Sequence, residues 1–249
     1  MSTEETKNTP ALILNRQDYK ENDSLVTVYT PHFGKLALVA RGTKKAGSKL
    51  AGHIEPLTSA DFMIIAGKGF DYIGSAVTRE AYLGIREDLN KIYYAGRALN
   101  LFNRLTKENQ SDERLFFLLE RWLGILNDFS DFKRENGELV LAFFTIKLLA
   151  ESGYKPEMYH CLECSKTVSP GKNYFNLANG GVVCEDCFEK DRLTGGILKT
   201  ELLTITDNCI KLMRFMVDNR FKSAEKLKID NKTLKEINNL LDKFMIFHF

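Results

Sequence analysis

Four cysteines constrain the fold of this 249-residue chain more than any other feature of its sequence. Cys161 and Cys164 form one Cys-x2-Cys pair, and Cys184 and Cys187 form a second pair after nineteen intervening residues. Each pair can direct two thiolates at one ion, and two such turns together make the tetrahedral four-sulfur site that suits zinc. The spacing therefore predicts one structural zinc ion in an insertion with the layout of a zinc ribbon, over about residues 158–190.

Other uses of these cysteines stay open at this point. An iron–sulfur or redox site has similar spacing, and vestigial thiols would bind nothing. His160 adjoins Cys161 and can substitute as a ligand. Four protein ligands leave no open coordination position, so a bound metal is not expected to be catalytic. Cys209 lies on the apolar stripe of a predicted helix and is expected to be a small buried hydrophobe.

Residues 10–82 predict a small β domain. Turn residues separate five short segments that alternate in hydrophobicity or are β-branched, namely Ala11–Leu14, Ser24–Tyr29, Lys35–Ala40, Asp61–Ile65 and Phe70–Ile73. Five strands in about 70 residues fit the OB-fold, a five-stranded β-barrel, although the count alone does not prove that fold. The polar segment over residues 1–9 predicts a disordered tail.

The hydrophobic period changes after Ala81, so residues 83–249 predict a helical domain into which the cysteine segment is inserted. Apolar residues at steps of three and four predict helices over Ile85–Phe102, Leu115–Phe129, Glu138–Ser152, Leu202–Met216 and Leu234–Phe244. Ser111 is expected to cap the second of these helices. The predicted architecture is an α+β multidomain protein with a domain boundary near residues 82 and 83.

A basic segment includes the third predicted strand and the loop that follows it. No Asp or Glu occurs over residues 24–54, although the whole chain has 33 acidic and 35 basic residues. Glycines let backbone approach a phosphate and cations neutralise it, so a flexible loop here predicts nucleic-acid binding. A solvated surface run is the alternative. Tyr29 and Phe33 are candidates for base stacking, although a core position is favoured for both. The basic residues of the segment are Lys35, Arg41, Lys44, Lys45 and Lys49.

Several classes of protein are not expected. The apolar stretch Leu139–Leu149 is shorter than the roughly 20 residues that cross a bilayer. The polar N-terminal residues lack the apolar segment of a secretory signal, so we expect a cytoplasmic protein without disulfides. No Walker A or Gly-x-Ser-x-Gly sequence is present. An enzyme is therefore not expected, although a site without a recognisable motif stays open.

The chain resembles the RecO family of bacterial recombination mediators in segments that occur in the family's order. Ala40–Gly42 with the basic pair after it is one of the two most specific segments. The other is Gly153–Pro156, which leads to the first cysteine pair. Further matches are Ala11–Arg16, Phe33–Lys35 and Gly180–Cys184.

This resemblance implies an N-terminal OB-fold and a helical C-terminal domain that holds a zinc site. It implies binding of single- and double-stranded DNA, annealing of complementary strands and a complex with RecR. It also implies contact with the C-terminal tail of the single-strand binding protein SSB and a nucleoid-associated role in loading RecA, linked to RecF. No covalent catalysis is implied.

The DNA-binding residues are assigned partly through the resemblance. Lys35, Arg41, Lys44 and Lys45 lie at positions that match the family's basic motif, and Lys49 is added on charge alone. The alternative function is that of a zinc-containing OB-fold protein that binds RNA or acts as an adaptor.

Overall fold

A computed structural model describes residues 6–194 and 201–249. Its internal contacts divide the chain into two compact units, Met1–Ser130 and Asp131–Phe249. This division falls later than the predicted boundary at residues 82 and 83, because the first three helices belong to the same unit as the strands. Within the described ranges, no helix is both long and apolar enough to cross a membrane.

The first unit is built on a five-stranded sheet. Each strand is hydrogen bonded to two others in the order β1-β2-β3-β5-β4, and β4 pairs with β1, so the sheet closes on itself. The parallel β3–β5 ladder has only two residue pairs, Leu38 with Asp71 and Val39 with Tyr72. Assignment to the OB-fold stays a prediction. The strands are β1 (Thr6–Tyr19), β2 (Asp23–Thr30), β3 (Gly34–Ala40), β4 (Ser59–Ile65) and β5 (Asp71–Glu80).

The predicted disordered tail over residues 1–9 is wrong for its last four residues. β1 begins at Thr6, and its residues from Thr6 to Leu12 pair with β4. Ladder hydrogen bonds and the buried Thr9 hold this segment in place. Residues 1–5 lie outside the described part of the chain.

Hydrophobic side chains at alternate positions along the strands form the core of the sheet. Val26 and Val28 on β2, like Phe62 and Ile64 on β4, point to one face and are buried there. Side chains on successive strand residues point to opposite faces, so alternate residues of β2 and β4 join this cluster. The full cluster also contains Ala11, Ile13, Leu38, Ala40, Ile54, Ala60, Ile73 and Ala76.

Three helices complete the first unit: α1 (Leu83–Arg86), α2 (Leu89–Leu105) and α3 (Glu113–Asp128). The α3 N-cap is Asp112 rather than the predicted Ser111, and its carboxylate accepts a hydrogen bond from the Arg114 N–H at 2.9 Å. A carboxylate is both an acceptor for the exposed N–H groups and favourable to the helix dipole. α2 contacts β1, and α3 contacts β2.

The second unit surrounds one buried helix. α4 is apolar on nearly every side, so it packs against α6 and α7 rather than facing solvent. It begins four residues earlier than predicted, at Arg134. The elements of this unit are α4 (Arg134–Glu151), β6 (Asn173–Asn176), β7 (Gly181–Cys184), α5 (Glu185–Thr194), β8 (Leu202–Ile205), α6 (Asp207–Asp218) and α7 (Asn231–His248).

The fourth predicted helix is wrong at its start. Leu202–Ile205 forms strand β8, which pairs antiparallel with β6 in a sheet of order β7-β6-β8. Thr206 then caps α6, because its hydroxyl accepts a hydrogen bond from the Cys209 N–H at 3.3 Å. A capping residue takes an extended conformation, so the helix cannot extend back through Leu202.

Candidate metal site and nucleic-acid interface

The prediction that the four cysteines come together is confirmed. The Sγ atoms of Cys161, Cys164, Cys184 and Cys187 all lie within 4.8 Å of one another, with 3.9 Å between those of Cys164 and Cys184. A tetrahedral zinc site with Zn–S bonds of about 2.3 Å separates its sulfurs by about 3.8 Å. The donor set and its spacing therefore fit one tetrahedral metal ion.

Backbone hydrogen bonds hold the two cysteine turns against each other. The Leu162 N–H donates to the Val182 carbonyl at 2.9 Å, which ties the first turn to β7. The first turn is closed by a hydrogen bond from the Ser165 N–H to the Cys161 carbonyl, also at 2.9 Å. β7 ends at Cys184, and α5 starts immediately after it and carries Cys187 on its first turn. Strand, turn and helix together place the four sulfurs.

The polypeptide surrounding Cys161 favours its thiolate form. Burial opposes ionisation of this thiol, but N–H groups of Cys184, Cys164 and Glu163 donate to the sulfur and lower its pKa from 9 to about 7. The Cys184 N–H lies 3.4 Å from that sulfur. Burial raises the pKa of both Cys184 and Cys187. A cation at the centre of the four sulfurs would favour their thiolate forms.

The neighbouring histidine and the fifth cysteine lie apart from the site. His160 is exposed, and its Nδ1 is 3.7 Å from a carboxylate oxygen of Glu157. Among the described residues, the cluster of possible metal ligands contains the four cysteines without His160. Cys209 is fully buried in α6, and burial raises the pKa of its thiol. The core position predicted for Cys209 is thus confirmed.

The basic segment after β3 is anchored at its root, so the predicted flexible loop is wrong for residues 42–44. Asp23 accepts a hydrogen bond from the Gly42 N–H at 2.9 Å, and the Lys44 N–H donates to the Asn22 carbonyl at 3.1 Å. The Thr43 side chain is buried, with its hydroxyl 2.8 Å from that of Ser24. These contacts fix the loop against the β1–β2 turn.

Four predicted DNA-binding residues lie on this loop. Arg41, Lys44, Lys45 and Lys49 are all exposed. Lys44 forms an ion pair of 2.9 Å with Asp18. Because Asp18 is exposed, water screens this pair and it contributes little. Within residues 6–194 and 201–249, no ion pair involves Lys45 or Lys49. The structure therefore presents these cations to solvent on one short segment.

The structure does not bring Lys35 to the other four. It lies at the start of β3, whereas Arg41 follows the end of that strand, about 20 Å away along it. Its Nζ donates to the carbonyls of Asn103 at 2.8 Å and Thr106 at 2.6 Å, at the C-terminal end of α2. Burial lowers the pKa of this amine. Lys35 thus serves as a cap for a helix whose last carbonyls lack partners within the helix.

The two aromatic candidates for stacking are packed within the unit. Tyr29 is 1% exposed and meets Phe102 edge to face, with ring centroids 4.9 Å apart. Its hydroxyl accepts a hydrogen bond from the Asp112 N–H at 3.2 Å. Phe33 is half-buried, with the Lys7 ammonium 5.3 Å from its ring centroid. The core position favoured for Tyr29 is confirmed, and Tyr29 has no free ring face for a base.

Sequence analysis missed a second group of residues beside the basic loop. The Tyr19 and Phe70 rings meet edge to face at 6.0 Å, and the Arg41 guanidinium lies 3.7 Å from the centre of the Tyr72 ring. The Lys20 ammonium is 5.3 Å from the centre of the Tyr19 ring. The signal available in the sequence was the turn at residues 67–69, which places the next residue, a phenylalanine, at the surface.

Comparisons with known proteins agree along the whole chain. The family model for the N-terminal part of recombination protein O matches residues 1–82, and that for its C-terminal part matches residues 86–249. The DNA repair protein RecO of Dehalococcoides mccartyi is 32% identical, over 92% of this chain and 85% of the relative.

Two further relatives carry the same name. The DNA repair protein RecO of Roseiflexus sp. is 31% identical over 95% of this chain and 79% of the relative. That of Alkaliphilus metalliredigens is 28% identical over 96% of this chain and 92% of the relative. Both family models and these matches, which cover most of each chain, lead to one conclusion. The chain belongs to the RecO family.

Proposed function

We propose that this chain is a DNA-binding mediator of recombinational repair, and that the loop Arg41–Lys49 is its contact with the phosphate backbone. The relatives' shared name, DNA repair protein, supports a role in repair and recombination. The anchored, exposed cationic loop is the observation that carries the proposal. A loop fixed before binding loses little conformational entropy when it meets a phosphate.

The sheet of the first unit suits this role as an OB-type domain. OB-folds bind oligonucleotides on the face of strands 2 and 3 and at the loops that follow strands 1 and 4. Here the basic loop is tied to the β1–β2 turn, which is the first of those loops. Four cations that hold one strand also screen a second strand, so annealing of complementary strands follows from the same surface.

The proposed partners follow from the family. We assign to the chain a complex with RecR, contact with the C-terminal tail of SSB, and assistance in loading RecA on SSB-coated DNA, with a functional link to RecF. None of these roles requires a covalent step. We also assign one structural zinc ion to Cys161, Cys164, Cys184 and Cys187, since four thiolates at this spacing match its preferred ligands.

Binding to a fluorescent single strand at several salt concentrations tests the DNA contact. Four phosphate contacts predict a log–log salt slope of about −2.8, and Lys45→Ala with Lys49→Ala should reduce it to about −1.4. Lys107→Ala is the matched control, because Lys107 is an exposed lysine of the same unit outside the loop. Equal slopes for the double variant and the wild-type chain would refute the loop as the DNA site.

Annealing of complementary strands coated with SSB tests the mediator role. The full chain should accelerate annealing at low salt, and the double variant should lose most of that acceleration. Preference for structured RNA over single-stranded DNA would instead favour the alternative, an RNA-binding or adaptor protein. No acceleration with RecR present would refute the mediator role.

A further inference from the structure

We propose that Phe70 and the Arg41 guanidinium form a stacking platform for unpaired bases, which makes the site selective for single strands over duplex. The inference rests on the proposed DNA-binding function and adds contacts with the bases to the contacts that the loop makes with phosphates. Phosphates are common to single strands and duplexes, whereas base faces are open only in unpaired segments. The platform therefore determines which form of DNA the cationic loop retains.

Phe70 is the exposed aromatic residue of this platform. It stands at the end of the β4–β5 turn with 42% of its surface exposed, although burial of a phenylalanine is favourable. The Tyr19 ring meets it edge to face with ring centroids 6.0 Å apart and interplanar angle 76°. This contact restrains the Phe70 ring and still leaves much of it exposed, so Tyr19 is a positioning residue.

Arg41 provides the second flat group. Its guanidinium lies 3.7 Å from the Tyr72 ring centre, which is the distance of a stacked pair. Gly67 makes this arrangement possible, because a Cβ at that position would lie 2.8 Å from the Tyr72 ring and 2.1 Å from the Phe70 carbonyl oxygen. Arg41 remains exposed, and a guanidinium plane stacked on a ring can also stack with a base.

The platform adjoins the cationic loop both along the chain and through an ion pair. Arg41 is the first residue of that loop, and Lys44 reaches Asp18, the residue before Tyr19. The platform thus spans the ends of β1 and β3 and the start of β5, and it draws on the first, third and fourth inter-strand loops of the sheet. Lys20 and Lys68 are further exposed cations on the first and fourth of these loops. Positive charge beside flat groups matches a strand with splayed bases rather than an apolar partner.

Substitution of Phe70 separates stacking from charge. Phe70→Ala should weaken binding to an oligothymidine by about 5- to 150-fold, the range for one stacked base. Binding to an abasic oligonucleotide of equal length and to duplex DNA should not change, and neither should the salt slope. Phe70→Trp should retain the affinity of the wild-type chain. Arg41→Lys should weaken oligothymidine binding at an unchanged slope, since it keeps the charge and loses the plane.

Phe117→Ala is the matched control, because Phe117 is 40% exposed on α3, outside the platform. The platform is overturned if Phe70→Ala and Phe117→Ala bind oligothymidine alike while Lys45→Ala with Lys49→Ala has lost affinity. That result would leave the proposed DNA function intact. A wild-type chain that binds no DNA would overturn both, and one that binds oligothymidine and the abasic strand equally would overturn the platform alone.

Discussion

Replacing Lys35 by methionine distinguishes a helix cap from a DNA contact. The ammonium donates to two carbonyls at the end of α2, and hydrogen bonds from a charged group contribute about 1.5–3 kcal/mol each. The side chain is half-exposed, so water replaces part of what is lost. Lys35→Met, which keeps the apolar stem, should therefore lower the free energy of unfolding by about 2–3 kcal/mol.

The first unit carries its own reporter for this measurement. Trp122 is the single tryptophan of the chain, and it is fully buried in α3. Its fluorescence during urea unfolding follows the unit that contains Lys35. Lys49→Met is the reciprocal control: it should leave the unfolding free energy unchanged and make the salt slope of single-strand binding shallower by about 0.7.

The two variants should thus give opposite results. Lys35→Met should lose stability and keep the salt slope, because its ammonium is committed to α2. An unchanged unfolding free energy together with a shallower slope would show that Lys35 contacts phosphate, and would refute the assignment as a cap.

Two further predictions concern the metal site and the core. Elemental analysis of the purified chain should find about one zinc ion. The Cys164→Ser variant should lose this ion, whereas Cys209→Ser should keep it. A full zinc content in Cys164→Ser would contradict the four-sulfur site. Burial raises the pKa of Tyr29 from 10 to about 12, so between these pH values the folded chain keeps a proton that the unfolded chain releases. Stability should therefore fall by up to about 1.4 kcal/mol per pH unit between pH 10 and pH 12, and Tyr29→Phe should remove that part of the decline. An equal pH dependence of the free energy of urea unfolding in the wild-type chain and in Tyr29→Phe would contradict this prediction.

Residue patterns over short stretches of the sequence predicted the cysteine cluster and the strands. The Cys-x2-Cys spacing fixes two thiolates on each turn, so the four-sulfur cluster was predictable from the sequence. Alternating hydrophobicity located β2 and β4, because alternate residues of these two strands enter the core of the sheet. Leu202 and Ile205 were assigned to a helix because their spacing of three residues fits one. Their pairing with β6 makes this segment a strand instead.

Apart from the cysteine cluster, contacts between residues distant in sequence were not predictable. Charge alone suggests the same role for Lys35 and Lys49, and the two differ because Lys35 meets carbonyls 68 and 71 residues further along the chain. The Arg41–Tyr72 stack likewise depends on the parallel pairing of β3 with β5. A single sequence shows the residue types at such a site but not which strands become neighbours.

The basic loop is anchored at its root, so its length can be changed beyond the anchored residues. Residues 42–44 are tied to neighbouring strands, whereas Lys45, Ala46 and Gly47 are exposed, and a Cβ at Gly47 would meet nothing within 4 Å. Residues inserted after Gly47 would disturb one hydrogen bond, from the Ser48 N–H to the Lys45 carbonyl. Each inserted residue would lengthen the loop by up to about 3.5 Å and so extend the distance that its lysines can reach. Loop length is therefore a variable that protein engineering can set independently of the fold.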